Sequence, residues 1–68
     1  MTVVIYLSSR EKRTVDGDAV RFDGNFLIVT REDRTVLTLW AGNVDKAEIE
    51  KDGVVIETLP GAAHRHRP

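Results

Sequence analysis

The stretch 19–40, AVRFDGNFLIVTREDRTVLTLW, decides how this chain folds. It holds three short runs of β-branched, aromatic and aliphatic residues, 19–23, 25–30 and 35–40, divided by turn-forming clusters. Such runs read as strands, and the short gaps between them read as hairpin turns. The turn at Gly24 allows two registers. With Asp23-Gly24 as the loop, Arg21 faces Phe26; with Gly24-Asn25 as the loop, Phe22 faces Leu27 and Val20 faces Val29. A one-residue slip exchanges the two faces of a strand, so burial selects the second register. The next hairpin, closed by 31–34, is expected to pair Val29 with Val36, Ile28 with Leu37, Leu27 with Thr38 and Phe26 with Leu39. One face then carries Val20, Phe22, Leu27, Val29, Val36, Thr38 and Trp40. The other carries Phe26, Ile28, Leu37 and Leu39, with Arg21 beside them. Both faces of the central hairpin are apolar on this reading.

The same pattern continues on either side. Further strands are expected at 2–8, 12–16, 46–51 and 54–58, and nine Val, four Ile and six Thr among the 68 residues favour strand throughout. Asp52-Gly53 should close a hairpin that pairs Lys51 with Val54, Glu50 with Val55, Ile49 with Ile56 and Glu48 with Glu57. That places Ala47, Ile49 and Ile56 on one face. Between 41 and 51 a tight turn at 42–45 followed by a strand is expected, with a short helix capped by Asn43 as the alternative. Pro60-Gly61 ends the last strand, giving one domain over 1–59 and a tail over 60–68.

The fold class is therefore all-β: an antiparallel meander of six to seven short strands. With the tight turn at Ala41-Gly42-Asn43-Val44 leading into the strand that carries Ile49, the architecture resembles a small SH3-like or Sm-like open roll or barrel. The Gly and Asp pattern of the Sm-like nucleotide pocket is not matched, so the resemblance transfers no binding residue. It implies no function.

The chemistry-bearing residues are few. Cysteine is absent, and the two histidines, His64 and His66, lie in the tail. The strand-forming region thus lacks the usual general base and the thiol nucleophile. Ser8 and Ser9 sit at a hairpin tip, where Ser is a turn former. Asp16 and Asp18 begin like a calcium loop, but the fifth and twelfth positions fall on Val20 and Leu27, which cannot ligate. No enzyme, catalytic residue, metal or cofactor is expected. No apolar run approaches the ~18 residues of a membrane span and no leader pattern opens the chain, so a cytoplasmic location without a membrane partner is expected.

Two binding readings remain. Nucleic acid would use Arg10, Lys12 and Arg13, with Arg65 and Arg67 in the tail; a second basic pair, Arg31 and Arg34, lies at another tip. Against it, residues 1–59 carry eight basic and eleven acidic side chains, whereas phosphate binding wants a concentrated positive surface. The favoured reading is a protein-interaction or assembly module. A small curled sheet buries one face, and four large apolar residues on the other are worth several kcal/mol, comparable with the ~3 to 5 kcal/mol a core of this size supplies. The expected contact is Phe26, Ile28, Leu37, Leu39 and Trp40, in a homodimer or other homo-oligomer or on a protein partner. Curl within one chain that hides both faces is the alternative.

Overall fold

The computed structural model describes residues 1–61, and over these the chain is all-β. Seven strands follow in order: β1 (Thr2–Leu7), β2 (Lys12–Asp16), β3 (Ala19–Asp23), β4 (Phe26–Arg31), β5 (Arg34–Trp40), β6 (Val44–Lys51) and β7 (Val54–Pro60). A single 3-10 turn, Ala41–Asn43, joins β5 to β6. The segment after Gly42 is thus turn and then strand, not helix. All pairings are antiparallel and form two sheets, one in the order β2-β1-β6-β7 and the other β3-β4-β5.

The chain changes sheet at two corners. At the first, the Gly17 amide donates to Met1 O and the Asp18 amide to Thr30 O. A Cβ on Gly17 would come within 2.7 Å of Val29 Cγ1, so only glycine lets β2 turn this tightly over β4. At the second, the Ala41 amide donates to Asn25 O. The inner faces then meet: Val3, Ile5, Val44, Ala47 and Ile49 from one sheet pack with Leu27 and Val29 from the other. Leu7, Val15, Val20, Phe22, Leu37 and Leu39 pack around them, half-buried. The edges of β3 and β7 do not pair; a groove of about 410 Å³ lined by Val20, Arg21, Phe22, Leu59 and Pro60 lies between them, leaving the roll open.

The β3–β4 register is the one burial selects, with Phe22 opposite Leu27 and Val20 opposite Val29. The β4–β5 register differs from the count. Leu37 lies opposite Val29, Thr38 opposite Ile28, Leu39 opposite Leu27 and Trp40 opposite Phe26, because the ladder shifts between Val29 and Thr30 and leaves Val36 as the extra residue of a bulge. Burial explains the shift. It turns two leucines inward, each worth about 1.5 to 3 kcal/mol when fully buried, and keeps the Thr38 hydroxyl in water. Leu37 and Leu39 are therefore inner-face residues, and the expected outer set of Phe26, Ile28, Leu37 and Leu39 does not exist as one face.

The β6–β7 hairpin shows the same correction. Lys51 pairs with Val54 and Glu50 with Val55, but a shift then sets Ile49 opposite Glu57, Glu48 opposite Thr58 and Ala47 opposite Leu59. Ile56 is the bulged residue, exposed instead of sharing a face with Ala47 and Ile49. The slip separates two carboxylates that a regular ladder would set side by side. β7 also runs one residue past the expected domain end at 59, and the Gly61 amide donates to Asp45 O. The rest of the tail, including Arg65 and Arg67, lies outside the described residues.

Candidate functional site

Two outer faces remain once the core is accounted for. On the three-stranded sheet, strand alternation and register define three rows: Asp23, Phe26 and Trp40; Arg21, Ile28 and Thr38; Ala19, Thr30 and Thr35. Phe26 is 46% and Trp40 52% exposed, and their rings meet edge to face, centroids 5.8 Å apart at 85°. Ile28 is half-buried beside them, and the bulged Val36 is exposed at the far end of β5. Gly42 supports the indole from behind: a Cβ there would lie 2.7 Å from Trp40 Nε1. The ring is therefore held by Phe26 on one side and by the backbone of the 3-10 turn on the other. Among the described residues neither Arg21 nor Asp23 enters an ion pair.

The outer face of the four-stranded sheet is built differently. Tyr6 Oη donates to Glu48 Oε1 at 3.1 Å, Lys46 Nζ lies 3.5 Å from Glu48 Oε2, and the same ammonium sits 4.7 Å from the Tyr6 ring centroid. Hydrogen bonding to Glu48, then burial, then the Glu48 charge push the Tyr6 hydroxyl above its ordinary value. Tyr6, Lys46 and Glu48 thus satisfy one another. A groove of about 470 Å³ lined by Tyr6, Asp45, Lys46, Thr58 and Pro60 runs beside them.

The basic residues are not gathered. Arg10 lies in the β1–β2 loop with φ 74°, its amide donating to Leu7 O, and the loop is tied to the 3-10 turn by Ser8 N donating to Asn43 O at 2.8 Å. Lys12 pairs with Tyr6 and Arg13 with Ile5, so these neighbours point to opposite faces of the sheet. Arg31 is engaged at the other end of β2, 3.1 Å from Asp16. The Ser9 hydroxyl donates to Glu11 Oε1. Among the described residues no three His, Cys, Asp or Glu side chains stand close enough to hold a metal ion, and no helix is long and apolar enough to cross a membrane.

The structure thus brings Phe26, Ile28 and Trp40 together outside and sends Leu37 and Leu39 inside. The Phe26–Trp40 pair was legible only in part, because the regular count put these two residues on opposite faces. Comparison with protein-family models, curated proteins and solved structures yields no match.

Proposed function

We propose that this chain is a non-enzymatic protein-interaction module that self-associates through the outer face of its three-stranded sheet, with Phe26, Ile28 and Trp40 at the contact. The observation that carries the reading is the half-exposed Phe26–Trp40 pair, held rigid in a chain with little core. Covering the open half of both rings removes on the order of 150 to 250 Å² per copy from water, about 4 to 6 kcal/mol before the cost of association. That rivals what the core itself supplies. Pairing through a sheet edge is a poorer route: β2 and β3 carry charged residues, while β5 and β7 are bulged at Val36 and Ile56, and both devices discourage strand addition.

Sedimentation and thermal melts from micromolar to near-millimolar protein test the reading. The expected result is a melting temperature that rises with concentration, and a Trp40→Ala variant that folds but shows no such rise. A monomer mass at every concentration, with a constant melting temperature, would sink the proposal.

A further inference from the structure

Resting on that self-association, we infer that the second copy sits face to face on the three-stranded sheet about a two-fold axis that runs along β4. The rows of the outer face carry the argument. The middle column, Phe26 and Ile28, is apolar; the β3 flank is charged, through Arg21 and Asp23; the β5 flank is Trp40 and Thr38. An axis along β4 exchanges the flanks and sets the middle column on itself. Phe26 then meets Phe26 and Ile28 meets Ile28. The Asp23 carboxylate lies opposite the second copy's Trp40, whose indole N–H is a donor without acceptor capacity. Arg21 lies opposite Thr38 and one row from that same indole, whose face attracts a guanidinium within about 6 Å. Both charges lack an ion-pair partner within the described residues and are available to meet these groups.

A two-fold in the plane of the face but perpendicular to the strands, through Ile28, fails on charge. It sets Arg21 directly on the second copy's Arg21 in a contact that is losing water, and it leaves Phe26 on Thr30. Like charges facing each other across a contact are a strong penalty against that orientation.

The chain has no native cysteine, so introduced thiols report cleanly. Three single variants of the full chain, Phe26→Cys, Ile28→Cys and Arg21→Cys, are each treated with a bis-maleimide spanning the roughly 10 Å between packed sheets. Retained far-ultraviolet circular dichroism is checked for each. Coupling of Phe26→Cys and Ile28→Cys without coupling of Arg21→Cys is the expected result. Coupling of Arg21→Cys, alone or with the others, or of Ile28→Cys alone, overturns the axis along β4 while leaving self-association on this face intact. No coupling in any variant overturns the axis if the unmodified chain sediments as a dimer. If the unmodified chain is a monomer, the underlying reading falls instead. Arg21→Ala gives an independent readout without removing an apolar residue: association weakens roughly tenfold about the β4 axis, through loss of the contact to Trp40. Unchanged or tighter association overturns the inference.

Discussion

The two sheets share one core and differ outside it. On the outer face of the four-stranded sheet three side chains form a closed cluster: Tyr6 is bonded to Glu48, and Lys46 covers the Tyr6 ring while approaching the same carboxylate. Val4, central on that face, is already buried at 6%. On the three-stranded sheet Phe26 and Trp40 point out, and among the described residues Arg21 and Asp23 beside them enter no ion pair. A cluster that satisfies itself has little to gain from a partner, whereas a half-exposed aromatic pair resembles the anchors that dominate protein interfaces. That contrast is what favours the three-stranded sheet for the proposed contact.

The largest expected effect separates the two sides of β5. Leu37→Glu places a carboxylate on the inner face beside the Leu27 and Val29 core, where an unpaired charge is very costly. A loss of about 3 kcal/mol or more, comparable with the whole stability of a domain this size, should unfold the chain. Circular dichroism at low concentration checks it. A folded Leu37→Glu monomer would mean that the regular register, without the bulge at Val36, is the right one.

Gly42→Ala comes next and acts on the interface alone. The added methyl displaces the Trp40 indole, since its Cβ would stand 2.7 Å from Nε1, while Gly42 itself is exposed. Association should weaken about tenfold, the equivalent of ~1.4 kcal/mol, with a shifted tryptophan emission spectrum and an unchanged melt at high dilution. Equal association in the variant would show that a fixed indole is not what the contact needs.

How the sequence exposed this contrast is instructive. The β3–β4 register was legible because burial was allowed to choose between two turns. In β4–β5 and β6–β7 a count outward from the turn misses the residue that a bulge adds. The signals were nevertheless present. Thr38 opposite Leu27 buried a hydroxyl while leaving two leucines outside, and Glu48 opposite Glu57 paired like charges. Each conflict was a mark of the slip. The Gly42–Trp40 contact left no such mark, because it depends on where the 3-10 turn returns under the indole.

The turns that close the two sheets offer a smaller test. Asp52 and Gly53 have φ of 54° and 80°, the left-handed pair that tight hairpins require, with glycine at the second position. Glu32 and Asp33 adopt the same sign, at 52° and 65°, without any glycine. Asp33→Gly should therefore stabilise the chain by about 1 kcal/mol, less what the unfolded chain gains in freedom. Denaturant unfolding measures it, and a loss of stability would show that Asp33 makes an interaction outweighing its backbone strain.

The smallest effect is confined to alkaline pH and tests whether the cluster of Tyr6, Lys46 and Glu48 stands apart from the proposed contact. The neutral Tyr6 hydroxyl donates to Glu48; the phenolate loses that bond and faces the carboxylate with like charge. The folded chain therefore holds this proton more tightly than the unfolded chain, where tyrosine titrates near pH 10. The resulting stability is fully present below pH 10 and is lost as pH rises through the higher folded value. Tyr6→Phe removes this pH-dependent term. Its melting temperature, plotted against pH, should fall less steeply than that of the unmodified chain above pH 10, and its association at neutral pH should be unchanged. If Tyr6→Phe instead weakens association at neutral pH, the Tyr6 face belongs to the contact and the division between the two sheets is wrong.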